Sequence, residues 1–491
     1  MTRVTIIGAG FSGIGLAVSL KRAGVTDLVV LERSHQVGGV WRDNTYPGAA
    51  CDVASHLYSF SFAPEGRWSR RFAPQPEISA YLERVAGDFG VLPHVRFGAD
   101  VVRSVWDEQR RVWSVELSSG VVHETDVLVA ACGQLSRPSY PALEGEFGGT
   151  AFHSARWDHG HDLAGKRVVV LGTGASAIQF VPEVAAQAAH VTVLQRSAPY
   201  VLAKPDRAYG PLEQRVLARF PLLLKADRLR TFVVNEARSL GFNTDPRLMR
   251  GHKHRFLKHL AREVADPSLR ATLTPTDPIG CKRILQSNTW YPALVQPHVD
   301  VVTQDVVRLV TSGVQTADGV VHEADTLIYG TGFTATELLV PMEVIGPHGT
   351  LSDAWEDGAE AYLGSAVAGF PNLFLLYGPN SNLGHNSIIL MLESQFAWIT
   401  QAISRVVPGG SVEVRPEVQR TFNAWLQRRL GGTVFAGGCT SWYITASGRN
   451  TQNWPGTTLD FRRRTRRLRE SDLLVRRPAQ ESDQIGLKVL T

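Results

Sequence analysis

The sequence predicts an α/β protein with two dinucleotide-binding (Rossmann-like) domains, the second inserted into the first and carrying a helical insertion of its own. Three observations predict it. A strand–glycine turn–helix–strand pattern occurs twice, a hairpin motif that closes such a unit also occurs twice, and strand-like sequence reappears after the second unit. The 491 residues exceed one ordinary domain, and 44% hydrophobic with 20% charged residues excludes disordered and collagen-like chains.

The first unit opens with the apolar run Val4 to Ile7 and Gly8-x-Gly10-x-x-Gly13, followed by a helical stretch to Ala23 and the strand Leu28 to Leu31. In such a turn the first glycine makes the bend, the second admits a pyrophosphate, and the third keeps the helix close to the strand. The helix N-terminus then offers free N–H groups to the phosphates. The second unit repeats this from Arg167, with Gly172-x-Gly174-x-x-Ala177 and the strand Val191 to Leu194. Gly120-Val-Val-His-Glu-Thr-Asp126 before the apolar run to Gly133 matches Gly319-Val-Val-His-Glu-Ala-Asp325 before the run to Gly332. Each hairpin feeds a buried strand that closes the unit opened by its own glycine turn.

Between these strands of the second unit, 212–240 and 247–265 place apolar residues at helical spacing among many charges and read as amphipathic helices. Such an insertion either shapes a substrate pocket or serves as scaffold or dimer surface, and both readings stay open. The run 373–377 and the helical stretch 388–406 return the chain to the first domain. The expected division is 1–145 and 333–491 for the first domain with its C-terminal loop and tail, 146–204 and 276–332 for the second, and 205–275 for the helical insertion.

The end of the second strand tells the two units apart. Glu32 follows the first, and a carboxylate there accepts hydrogen bonds from ribose hydroxyls. Gln195 and Arg196 follow the second, so a 2′-phosphate would not be repelled and the second unit reads as an NADPH site.

Cys51, Cys132, Cys281 and Cys439 stand far apart, so neither a zinc cluster nor a disulfide scaffold is expected, and the expected compartment is a reducing cytoplasm. No basic-then-apolar leader and no uncharged apolar run of membrane-spanning length is seen, so neither secretion nor stable membrane insertion is expected. The formal charge of +5 is matched by the six arginines of 462–469, and the rest of the chain sums close to neutrality. A nucleic-acid partner is therefore not expected, and a solvated or interdomain helix face is the reading for the arginine cluster.

Two further motifs carry a resemblance. Phe147-x-Gly149-x-x-x-His153-x-x-x-Trp157-Asp158 lies just before the second glycine turn, and Gly38-Gly39-x-Trp41-(x)4-Tyr46-Pro47-Gly48-(x)3-Asp52 follows the first unit. With the two glycine turns and Gly330-Thr331-Gly332-Phe333, the chain from residue 1 to about 460 resembles the type I Baeyer–Villiger monooxygenases of the class B flavoprotein monooxygenase family. The resemblance implies FAD on Gly8, Gly10, Gly13 and Glu32, lined by Trp41, Asp52 and Tyr58. It implies NADPH on Gly172, Thr173, Gly174, Ser176 and Arg196, with Lys282 on the 2′-phosphate and Trp442 closing over the nicotinamide. Arg283, paired with Asp52, would stabilise the C4a-peroxyflavin formed with O2, since a guanidinium stays charged in proteins. His153 and Trp157 are motif residues, not acid or base. The implied reaction inserts one oxygen atom of O2 beside a ketone carbonyl to give an ester or lactone. An N- or S-oxygenating flavin monooxygenase of the same fold is the alternative. A pyridine nucleotide–disulfide reductase would need paired thiols near the flavin, which the cysteine spacing does not supply.

Overall fold

A computed structural model describes residues 1–439 and 441–478. The tail beyond 478 and Thr440 lie outside the described residues. In chain order, β1 (Val4–Ile7), helix α1 (Phe11–Arg22), β2 (Leu28–Leu31), β3 (Val95–Arg96) and β4 (Val127–Ala130) begin the first sheet. A second sheet follows, made of β5 (Thr150–His153), β6 (Arg167–Leu171), helix α2 (Ala177–Ala185) on its surface, β7 (His190–Leu194), β8 (Val299–Val302) and β9 (Thr326–Tyr329). The chain then returns to the first sheet as β10 (Leu373–Leu375). The orders are β10-β4-β1-β2-β3 and β8-β7-β6-β9-β5, and every named pairing is parallel. Both therefore have the doubly wound arrangement, which places ligands beyond the C-terminal strand ends.

The strands are apolar on both faces, as parallel strands covered by helices must be. Val4, Ile6, Val127 and Val129 are buried under α1, while Val168, Val170 and Val193 pack with Phe180 of α2. Both closing hairpins form as read, with Gly120 and Gly319 in nearly identical left-handed conformations at φ 83° and 84°.

The insertion departs from its sequence reading in its first helix, and the cleft lining bears on one of the two roles left open for it. The stretch expected as one helix from 212 breaks into α3 (Pro211–Arg219) and α4 (Pro221–Asn243), and α5 (Arg250–Glu263) follows after a short turn. Pro221 is the cause: it disfavours helical backbone at the residue before it, and Phe220 sits at φ −116°, ψ 84°. Nor does the insertion wall the cleft between the sheets, where among the described residues only Pro275, at its end, is present. Helix α6 (Ile388–Ile403) packs on α1, and α7 (Thr458–Thr465) packs on α6.

A further correction concerns the cysteines. Cys281 and Cys439, 158 residues apart, form a disulfide, while Cys51 and Cys132 remain free thiols. Spacing arithmetic detects only local pairs, and this pair is assembled by the fold. In denaturant without reductant, two thiols per chain should react with a thiol reagent, and four should react after reduction.

Candidate functional site

A cleft of about 1260 Å³ lies between the strand ends of the two sheets. Every residue singled out as a cofactor or catalytic candidate lines it except Gly13, which sits under the first turn, where an added Cβ would meet the Gly8 carbonyl and Ile6. The two glycine turns are superposable in their constraints. Gly8 and Gly172 both have φ +102°, and a Cβ there would approach the carbonyl oxygen of Ala131 to 2.7 Å and of Gly330 to 2.6 Å. Only glycine fits a positive φ with a neighbouring strand so close. The helix N-termini that follow, at α1 and α2, are free of side-chain caps.

At the first turn Glu32 is buried and fixes the loop. It accepts from Ala9 N at 2.8 Å, Ser34 N at 3.0 Å and Arg42 Nη1 at 2.9 Å. Trp41 Nε1 donates to the Tyr58 hydroxyl at 3.0 Å, with the rings edge to face. At the second turn Gln195 and Arg196 take different surroundings. Gln195 is buried and its Nε2 donates to the Thr272 carbonyl at 3.0 Å, while Arg196 lines the cleft. Consecutive residues leaving a strand face opposite ways, so both could not point at one ligand. Instead, Lys282 Nζ donates to Ser197 Oγ at 3.1 Å and pairs with Asp277 at 2.6 Å, which brings it to the strand end that carries Arg196. Thr173 Oγ1 donates to the Ser197 carbonyl at 3.1 Å, tying the turn to the same corner.

Between the two turns lies the ion pair of Arg283 and Asp52. Arg283 Nε and Nη2 donate to Asp52 Oδ2 at 2.9 and 2.5 Å, and each side chain opens about a third of its surface, 31% and 36%, to the cleft. Burial alone would raise the Asp52 carboxyl, but the charge and hydrogen bonds of Arg283 outweigh it and hold it below the usual range. Asp52 in turn raises the guanidinium further against its burial. Two tyrosines flank the pair that sequence reasoning missed. Tyr377 donates to Asn382 Oδ1 at 3.0 Å, and the Tyr443 hydroxyl, pushed up to about 12 by burial, has no partner among the described residues. Tyr443 adjoins Trp442, with ring centroids 4.4 Å apart, so the tryptophan motif could have pointed to it; nothing marked Tyr377.

The loop that bears Asp52 is clamped to the second unit by Gln179 of α2. Its Oε1 accepts from Ala50 N at 3.2 Å and Tyr46 at 3.3 Å, and its Nε2 donates to the Ala50 carbonyl at 3.2 Å. His153 is buried away from the cleft, accepts from Ala155 N at 3.0 Å and is pushed down to about 4 by burial, so it is neutral at pH 7. Trp157 packs edge to face on Phe152 and against Phe180. Cys51 and Cys132 line the cleft as separate thiols, each raised to about 12 by burial, and the bonded pair Cys281–Cys439 does not line it. Dithiol chemistry at the cleft is therefore not supported.

Two glycine turns over one cleft, with a fixed cation between them, define a two-nucleotide oxidoreductase. A profile of the pyridine nucleotide-disulphide oxidoreductase family matches residues 5–240. The chain is 46% identical to a Baeyer-Villiger monooxygenase of Streptomyces coelicolor over 99% of its length and 94% of the relative's. It is 44% identical to a Baeyer-Villiger monooxygenase of Pseudomonas aeruginosa, over 95% and 90%. Among solved structures it is similar to an oxidized steroid monooxygenase bound to NADP, with TM-score 0.85, 30% identity and coverage of 96% and 99%. It is also similar to OTEMO in complex with FAD and NADP, with TM-score 0.87, 27% identity and the same coverage. The chain belongs to the Baeyer–Villiger monooxygenases.

Two outcomes follow from this geometry. Gln179→Ala leaves both Ala50 backbone groups unpaired and should lower unfolding free energy by about 1–3 kcal/mol, read from denaturant curves. Because Asp52 is depressed in the folded state, its stabilisation is complete above the ordinary carboxylate value and is lost as pH falls through the folded one. The stability difference between the protein and Asp52→Asn should therefore be flat from pH 5 to 8 and shrink in stronger acid.

Proposed function

We propose that the protein uses NADPH and O2 to convert a ketone to an ester or lactone, with FAD over the first glycine turn and NADPH over the second. The observation that carries this reading is the Arg283–Asp52 pair set between the two turns. The donor set suits both cofactors: a glycine cradle and helix N-terminus for each pyrophosphate, buried Glu32 at one ribose, and Arg196, Ser197 and Lys282 at a phosphate. FAD, when bound, supplies the electron transfer from NADPH and the activation of O2.

The residues of the chain have separate tasks. Arg283 provides a positive charge that cannot be lost by deprotonation, and it faces negative charge developing on oxygen. Asp52 fixes its orientation by taking Nε and Nη2, which leaves Nη1 without a hydrogen bond among the described residues and free to donate into the cleft. Lys282 and Arg196 hold the 2′-phosphate and select NADPH over NADH. Trp41 and Tyr58 wall the flavin side of the cleft, and Trp442 covers the nicotinamide side. The division at 145/146, 204/205, 275/276 and 332/333 and a cytoplasmic location, where NADPH is maintained, belong to the same proposal. Among the described residues no helix is long and apolar enough to cross a membrane.

Anaerobic reduction followed by oxygen addition tests the reading. NADPH should reduce the enzyme faster than NADH, and oxygen should then give a long-lived state absorbing in the near ultraviolet. Immediate return to the oxidised spectrum would refute oxygenation. Arg283→Ala should keep FAD and reducibility but form no ester, and Lys282→Ala should raise KM for NADPH at least about tenfold while leaving NADH nearly unchanged.

A further inference from the structure

Helix α4 of the insertion presents the wrong face to water. Leu222, Leu229, Val233 and Leu240, spaced seven, four and seven residues apart, form one stripe and are 77%, 61%, 54% and 51% exposed. The stripe two residues along at the same spacing, Leu224, Thr231, Asn235 and Phe242, is buried and half polar. A surface helix normally does the reverse. The helix is 23 residues long, so the exposed stripe runs for about 30 Å. Phe220, Leu223 and Val234 are exposed beside it.

The charges around the stripe are predominantly basic. Residues 211–258 hold eleven Lys or Arg against four Asp or Glu, which amends the sequence-level reading that charge outside the arginine cluster is balanced: the balance holds in sum and fails in space. None of those four acids is fully exposed, and each is engaged locally. Glu213 pairs with Arg207, Asp227 with His56, Asp245 caps the turn at Arg247, and Glu236 bonds Thr458 and Asn386. Lys225 and Arg230 are exposed on the two flanks of the stripe.

Glu236 also brings in the arginine cluster. It accepts from Thr458 Oγ1 at 2.6 Å and Leu459 N at 3.1 Å, which seats the start of α7 against α4. Leu459 is 54% exposed, and Arg462 and Arg463 follow it at three and four residues on the same helical face, both exposed, with Arg466 exposed just past the helix end. Arg464 is not part of this face, since it pairs with Asp460 and lies over the Trp425 ring.

We propose that α4 and α7 form a docking face for an anionic lipid surface, on which the enzyme lies without crossing it. An exposed apolar helix stripe edged by basic residues has the composition of an interfacial helix: the apolar side chains enter the acyl boundary while Lys and Arg meet the headgroups. A second copy of the chain fits this face less well, because it would bring like charges together around the same stripe. The proposal is independent of the oxygenation reading, as none of these residues lines the cleft.

The test is sedimentation of the FAD-loaded enzyme with vesicles of phosphatidylcholine alone or mixed equally with phosphatidylglycerol. Binding should be at least about tenfold tighter to the anionic vesicles and should weaken with salt. Leu229→Glu with Val233→Glu should lower it by roughly tenfold or more, and Arg462→Glu with Arg463→Glu should do so separately, both with FAD content and NADPH oxidation unchanged. Failure to bind anionic vesicles, or binding that neither variant weakens, overturns the proposal. A dimer of the holoenzyme in analytical ultracentrifugation that Leu229→Glu with Val233→Glu dissociates would assign the face to a second copy and overturn it equally.

Discussion

The ion pair between Arg283 and Asp52 joins residues 231 positions apart, and much of the architecture is arranged so that it can form. Asp52 stands on a loop that leaves the first sheet, whereas Arg283 follows the helical insertion within the second. Half-buried charges of opposite sign are stable only when each finds the other in good geometry, since losing one partner leaves the second uncompensated. The pair therefore links a loop of the first unit to a segment of the second. The Gln179 clamp on Ala50 does the same with neutral hydrogen bonds two residues before Asp52, so position is held by packing and backbone contacts as well as by charge.

The two halves of the cleft are built from one local solution used twice. Gly8 and Gly172 share a φ of +102° and nearly the same approach to the neighbouring strand. What differs is the chemistry added at the second strand end: an enclosed carboxylate in one unit, and an open arginine with a lysine delivered from another segment in the other. The two frames are alike, and the difference between them lies in these few side chains.

Legibility in the sequence followed the range of the interaction. Both glycine turns, both closing hairpins and the return strand were readable because each is determined within about thirty residues. The pairing of Asp52 with Arg283 was readable only through motifs, since no spacing rule connects positions so far apart. That Gln195 replaces an acid was legible, but not that its side chain is buried, because an alignment of strand ends does not say which face a side chain takes. Cys281–Cys439 and Tyr377 were not visible at all, being brought into place by the fold. The inverted helix α4 was legible as a helix, but its orientation was not: apolar spacing is the same whether the stripe faces the core or the solvent.

The return of the chain to its first sheet sets an order of assembly during synthesis. All strands of the second sheet lie between residues 150 and 329, so that unit has its full complement while the ribosome still holds the rest. The first sheet must wait for β10 at residue 373, which completes its edge beside β4. The first glycine turn is thus among the earliest segments made, and the sheet that carries it lacks an edge strand until residue 373 has been synthesised.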